Sequence, residues 1–504
     1  MKITSIALSL VVALSTSCFG AKLSNDELQA QIEALKAQLS LLEAKVNEAT
    51  KKTTELKLPA NTEKRLSIVE KKVAKNYTKI NDVKTHDAND NIKWDIDFRT
   101  QVDNINYKLS NGTTAKNSAL MTNRLWLGMA YMPNDNTIFK GTLSYNKAYG
   151  DSANHSQANT SPGYANFDWV TNENANDNTL KVKEAYWLYK DDSFMGNKDL
   201  PWAVSVGRRP STDGLGINLR ADQSRKSALS HTVNVEFDGL SAKFDLDKIT
   251  GVQGMWWKFC AGRGLTNAKP RFSSDGLDYA NDNTKNPNID MAGFIFVPYD
   301  NGQYSVHTNY AKAWNMIGFT QTDMFDGNNS NNTFKDFGDL ELATIMFKAD
   351  GIGEEISDYL DNTIAFASFA ASKTHPNSLG MLGSTDSKTG SSIWLGVNAP
   401  CPIDQEDSRI GVEWNKGSKY WRPMTYGEDT MVGSKIATRG TAWEVYRNSK
   451  INNALSWSLR YTKINYDYYG SNGFFGYDGN PDLGSVSPYV TQAQNITANV
   501  RYRF

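Results

Sequence analysis

From residue 92 the chain alternates apolar and polar side chains with a period of two. In "IKWDIDFRTQVDN", Ile92, Trp94, Ile96, Phe98 and Val102 fall on one face, and Lys93, Asp95, Asp97, Arg99, Gln101 and Asp103 on the other. This is the pattern of a strand with one apolar and one charged face. A soluble sandwich would also half-bury such a strand, but charges of both signs on the polar face suit a water-filled lumen with lipid outside. Comparable segments recur at 92–107, 121–132, 138–149, 180–190, 201–208, 231–238, 240–260, 291–298, 303–317, 339–349, 360–373, 391–398, 409–415, 435–448, 453–467 and 490–504. The seventh reads as one long strand, because Leu240, Ala242, Phe244, Leu246, Val252, Gly254 and Trp256 keep one parity, and Asp238-Gly239 reads as the turn before it. Sixteen strands, with fourteen and eighteen as alternatives, predict an all-β fold: a closed transmembrane antiparallel barrel spanning 89–504.

The connections support the count. If the first strand runs outward, the even-numbered connections are turns on the starting side, and they are short or moderate: "PNDNT", "YDNGQ" and "RNSKIN" are examples. The odd ones, such as 150–179, 262–290 and 468–489, are nearly all long. Short periplasmic turns and long outer loops are the asymmetry of such barrels.

The pattern before residue 89 is different. Leu28, Ile32, Leu35, Leu39, Leu42, Val46, Ala49, Thr53 and Leu56 alternate spacings of four and three. That is a heptad seam, and it predicts an α-helical coiled coil in a periplasmic segment spanning 21–88. The alternative is one amphipathic helix lying on the barrel. Pro59 interrupts the run, and a weaker seam continues through Leu66, Val69, Val73, Ile80 and Val83. Seam packing leans toward two strands, whereas barrels of this type are usually trimers; a homo-trimer is the expectation. Earlier still, Lys2 and "ITSIALSLVVAL" form a secretory signal peptide, residues 1–20, with cleavage near Gly20-Ala21. Cys18 lacks the preceding Leu of a lipidation site.

Composition sharpens the class. The net charge of −1 gives no global field for nucleic acid. Aromatic residues make up 11%, and no later run approaches the apolar length of a membrane helix. Cys260, expected at the outer end of strand seven, and Cys401, in a turn on the other side, are too far apart to bridge and are expected as free thiols.

"NRLWLGMAY" (123–131), "VKEAYWLY" (182–189), "SVGRRPSTDG" (205–214), "RIGVEWNKGSKYW" (409–421) and the closing strand complete a resemblance. The chain resembles porin-like outer-membrane proteins of gram-negative bacteria, and among them an uncharacterised family with an amino-terminal coiled coil. The resemblance implies a channel for passive diffusion of small hydrophilic solutes or ions.

Candidate chemistry concentrates in "GRRPSTDGLGINLRADQSRKSALS" (207–230), the third outer connection, which in general porins folds into the barrel. Arg208, Arg209, Arg220, Arg225 and Lys226 outnumber Asp213 and Asp222 by three. Cations at a constriction favour anions; the alternative is a solvated surface loop. On the strands, Asp95, Asp97, Arg99, Arg124, Glu413 and Arg501 are inward candidates of mixed sign. In "ANVRYRF", Ala498, Val500, Tyr502 and Phe504 are expected to face lipid, with Tyr502 and Phe504 resembling a barrel assembly signal. Asn499, Arg501 and Arg503 are expected to face water.

Loops such as "DYANDNTKN" lack the ligand spacing of a calcium loop, so neither a metal nor a cofactor is expected. His86, His155, His231, His307 and His375 sit in no Gly-x-Ser-x-Gly or His-Glu-x-x-His context, and no enzyme is expected. A structural reading stays beside the channel: four heptads reach about 43 Å, enough for an anchor or adhesin contacting the cell wall.

Overall fold

Alternation sends successive side chains to opposite faces of a pleated strand, and closing the sheet leaves no unpaired edge. The computed structural model describes residues 92–149, 180–211, 213–226, 229–265, 288–325, 335–353, 356–425, 428, 430–483 and 488–504, together with Ala37 and Ser40. The expected signal peptide and the heptad segment, those two residues excepted, lie outside the described residues, so both remain expectations from sequence.

Sixteen strands form one closed antiparallel barrel: β1 (Lys93–Leu109), β2 (Thr114–Tyr131), β3 (Thr137–Ala148), β4 (Lys181–Asp191), β5 (Trp202–Ser211), β6 (Val235–Asp245), β7 (Trp256–Leu265), β8 (Ile289–Asp300), β9 (Tyr304–Trp314), β10 (Gly338–Asp350), β11 (Ile364–Pro376), β12 (Thr389–Cys401), β13 (Asp404–Gly417), β14 (Gly440–Lys450), β15 (Leu455–Tyr466) and β16 (Val490–Arg503). Each strand pairs with its sequence neighbours, and β16 closes on β1 in a register running from Asp97↔Arg503 to Val102↔Ala498 and beyond. A two-residue ladder, 317–318 with 335–336, sits in the β9–β10 connection.

The outward face is apolar. Trp94, Phe98, Leu240, Phe294, Leu395 and Val500 are exposed, whereas Asp97, Gln101, Asp103, Thr497 and Arg501 on the other face are buried. An apolar band outside a closed barrel is the architecture of a porin-like outer-membrane fold. No described helix is long and apolar enough to cross a membrane.

The count of sixteen holds although two expected strands are wrong. Asp238 and Gly239 lie inside β6, paired with Arg263 and Gly262. The turn falls instead at 246–255, around a helical turn at Asp247–Thr250. Gly254 (φ +63°) is needed there, since a Cβ would lie 2.1 Å from the Asp300 carbonyl oxygen. Parity changes across this turn: Leu240 faces out, but Lys258 faces in while Phe259 faces out. Splitting one strand and fusing two others cancel in the total. Cys260 consequently sits within β7 opposite Ser241 rather than at its outer end, and both Cys260 and Cys401 are free.

The interior is not uniformly polar. Inward residues Ile289, Met291, Ile295, Ala311, Leu340 and Leu342 pack with Val233, Met316, Met381, Met424 and Phe475 from the long connections. A second cluster joins Ile105, Tyr107, Ile464 and Ala493 to Met431 and Val432. The long connections thus fold back and build a dry core within part of the lumen.

Candidate functional site

The β5–β6 connection, 212–234, crosses the inside of the barrel. Leu215, Ile217 and Leu229 give it an apolar side that packs on Met346, Phe366, Trp394 and Ile436. A Leu215–Leu229 bridge draws its two limbs together. Gly216 has φ +98°, and a Cβ there would lie 2.1 Å from Cη2 of Trp394, so the chain passes where only glycine fits.

Polar contacts tie the connection to distant strands. Arg501 Nη1 donates to the Ala221 carbonyl at 2.8 Å, and Arg503 Nη1 to that of Asp222 at 2.6 Å. On the return limb, Thr232 Oγ1 meets Thr344 Oγ1 at 2.7 Å, and the Asn234 amide donates to the Met424 carbonyl at 2.7 Å. His231 Nδ1 lies 2.7 Å from Ser368 Oγ, and Nε2 lies 2.9 Å from Ser392 Oγ. Burial holds the His231 ring neutral, its pKa pushed down to about 3.

A serine beside an imidazole is also the geometry of an activated nucleophile. Here both ring nitrogens are occupied by hydroxyls, His231 and Ser368 are fully buried, and among the described residues no carboxylate orients the ring. The arrangement clamps the loop to β11 and β12 and offers no substrate access.

The β13–β14 connection, 418–439, supplies a buried ionic cluster. Lys435 Nζ donates to Glu413 Oε2 at 2.6 Å and also to Glu444 Oε1. Arg220, from the tip of the crossing connection, lies 3.6 Å from Glu428 and 3.8 Å from Glu444. Burial pushes the Glu428 carboxyl up despite Arg220 and Lys435. Arg439 satisfies loop carbonyls, donating to Trp421 at 2.9 Å and to Gly479 at 2.7 Å.

Two cavities flank the crossing connection, the smaller reaching the β12–β16 wall and the larger lined mainly by β1–β7. One, of about 340 Å³, is bounded by Arg99, Arg124, Arg220, Asp222, Arg409 and Arg460 among others. The other, of about 1010 Å³, lies at the short-turn end beneath the crossing connection, where Asn453 and Phe504 reach it. Its walls carry nine Lys or Arg side chains against three carboxylates, Asp95, Asp97 and Glu184.

The candidate residues separate as follows. Asp97 accepts from Arg501 and Arg124, and Arg124 stacks 3.4 Å above the Trp126 ring. Asp95, Arg209, Arg225 and Lys226 line the larger cavity, and Lys226 pairs with Glu184. Asp213 and Asp222 border the smaller one, both with positive φ, and Asp222 pairs with Arg503. Arg208 stands apart, 3.3 Å from Asp238 and donating to the Val182 carbonyl at 3.0 Å. Tyr502 and Phe504 are exposed.

Lys183 and Lys258 are site residues that sequence reading passed over, and His307, read only as a histidine outside any catalytic motif, holds Arg225. Lys258 was detectable in "WWKFC", a lone cation in an aromatic strand, had the turn at 246–255 been placed correctly. Lys183 on β4 pairs with Glu236 on β6, across β5, a partner 53 positions away that no local pattern reveals.

The trimer form of OmpT, an outer-membrane protein of Vibrio cholerae, aligns at 11% identity with a TM-score of 0.41, covering 82% of this chain and 99% of its own. Salmonella typhi OmpF, solved in complex with daunomycin, gives 11% and 0.42 over 82% and 99%. An anion-selective porin from Comamonas acidovorans gives 10% and 0.43 over the same shares. No curated protein matches the sequence. Residues 114–504 match the family described as "Protein of unknown function (DUF3373)", and the chain belongs to that family.

Proposed function

We propose that the protein is an outer-membrane, porin-like channel for passive diffusion of small hydrophilic solutes or ions, anions favoured. One observation carries the reading: a loop crosses the lumen of a lipid-facing barrel and leaves a cavity with nine basic and three acidic side chains. In a confined lumen bounded by low-dielectric walls, that excess lowers the energy of an anion and raises that of a cation. No catalytic step is assigned. The short turns face the periplasm in this reading, with the amino-terminal segment on that side. Assembly is as a homo-oligomer, three favoured, through the barrel and the coiled coil. Planar-bilayer recording of the purified protein under a KCl gradient tests the channel, with a reversal potential of the sign that chloride sets. A potential of zero or of the potassium sign defeats the anion preference.

A second reading has its own support. Trp394, Trp421, Arg422 and Arg439 are fully buried within the lumen, so part of the barrel is filled. A barrel used as a structural anchor or adhesin, joined to the cell wall through the coiled coil, needs no more opening than that. Protein that inserts into bilayers and passes no current favours the anchor.

A further inference from the structure

The cations of the larger cavity are not equally compensated. Asp97 takes Arg501, Glu184 takes Lys226, Glu236 takes Lys183, and Asp245 takes Lys243 at 2.6 Å. Asp222 takes Arg503, and four cations remain without an ion pair among the described residues: Lys140, which is exposed and lies in the field of Asp95, and Arg209, Arg225 and Lys258.

The two arginines are held in place by neutral groups. Arg209 Nη1 donates to Ser205 Oγ at 2.6 Å, and its guanidinium stacks 4.5 Å from the Tyr186 ring. Arg225 Nη2 donates to His307 Nδ1 at 3.2 Å, and His307 Nε2 in turn meets Ser305 Oγ at 2.8 Å. With Nδ1 accepting and Nε2 donating, His307 is the neutral tautomer and cancels none of the Arg225 charge. Asp300 lies in the field of Arg225 without forming an ion pair. Lys258 is 6% exposed and has no hydrogen-bond or ion-pair partner among the described residues, yet it lines the cavity. It also stands directly opposite Lys243 on the inward face of β6 and β7. Like charges directly opposite on a sheet destabilise it, and a buried ammonium without a partner is costlier still.

We propose that this cavity is a binding station for a small multivalent oxyanion of the phosphate class, held by Arg209, Arg225 and Lys258. A dianion answers the charge that these three leave uncompensated, and guanidinium forks with an ammonium are the donors that phosphate oxygens take. The proposal rests on the channel reading only for the route by which solute arrives.

The test uses the full chain purified in detergent. Inorganic phosphate binding is measured by titration calorimetry at constant ionic strength, with chloride as the balancing anion. The same phosphate is then added to the short-turn side of single channels carrying chloride. The expected result is saturable binding, with matching saturable block of current. Half-saturation rises about tenfold in Lys258→Met and in Arg225→Gln, the loss of one charged hydrogen-bond donor, and returns toward the original value in Lys258→Arg. Arg225 belongs to a connection, so its variant decides the matter where Lys258→Met does not fold. Phosphate binding no tighter than chloride, or half-saturation unchanged in the folded variants, overturns the site. Binding without current keeps the site and removes the channel, whereas current without binding does the reverse.

Discussion

Arg501 of β16 clasps Asp97 of β1 across the seam where the first and last strands meet, Nε donating to Oδ1 at 2.7 Å and Nη2 to Oδ2. Nη2 of Arg124 in β2 reaches both oxygens of the same carboxylate, at 3.3 and 3.4 Å. Three adjacent strands therefore share one buried anion. Asp97→Asn leaves two buried guanidinium groups facing a neutral amide, and removing one partner of such a pair costs about 3–5 kcal/mol. Urea unfolding of the folded barrel in detergent is expected to show that loss. Asp95→Asn, at an exposed carboxylate two positions away, is expected to cost less than about 1 kcal/mol.

The crossing connection depends on a close approach at Gly216. Valine there meets both the φ of +98° and the Trp394 ring at 2.1 Å. Positive φ alone costs a branched residue about 1–3 kcal/mol, and the clash adds displacement. Gly216→Val is expected to release the connection from Met346, Phe366 and Trp394 while the sixteen strands stay paired. Single-channel conductance should then rise several-fold at unchanged strand content by circular dichroism. Unchanged conductance would mean that the connection does not limit the path.

Where sequence reading succeeded and where it missed have physical causes. Strand alternation is local, so β1, β10 and β16 were visible from side-chain parity alone, and the apolar outward face of β16 falls where Ala498, Val500 and Tyr502 placed it. A turn is marked by a few residues, and "DKITGVQG" resembled more strand because Val252 and Gly254 keep the even numbering of Leu240 to Leu246, although Ile249 breaks it. The filled part of the lumen was not legible. Parity says which face a residue takes but not what covers that face, so Ile105, Leu340 and Met346 gave no sign of being sealed by loops. The ionic cluster was equally hidden: Lys435 meets Glu413 over 22 positions and Arg220 meets Glu428 over more than 200.

Docking of the connection should depend on pH through His231. In the docked state burial puts its pKa at about 3, below the ordinary 6.5. The detached state therefore binds the extra proton more readily, and docking is at full strength above about pH 6.5. It weakens as pH falls toward 3, by at most about 1.4 kcal/mol per unit. Glu428, whose carboxyl is raised by burial, takes its proton under the same acidification and acts in the opposite sense. Comparing the protein with His231→Gln isolates the histidine. Protease cleavage within 212–234 should increase between pH 7.5 and pH 4.5 in the first and increase less in the second. Equal pH responses would remove His231 as the cause.

Phe504 separates folding from assembly. Its backbone exchanges two hydrogen bonds with Ile96, amide to carbonyl at 3.0 Å in each direction, so the residue extends the β16–β1 seam. Its side chain is 81% exposed and adds almost nothing to that seam. Phe504→Ser keeps the two backbone bonds and removes only the ring, and a surface substitution of this kind stays within about 0.5 kcal/mol. The folded barrel is therefore expected to resist urea as before and to conduct as before. If the ring is what the assembly machinery recognises, the amount of folded barrel reaching the outer membrane in cells should fall several-fold. Tyr502→Ser, at the neighbouring outward position, should produce a similar fall. Deleting Phe504 altogether should lower both yield and stability, because the seam then loses its last pair of backbone bonds as well. Normal yield of Phe504→Ser in cells would assign the residue to the seam alone.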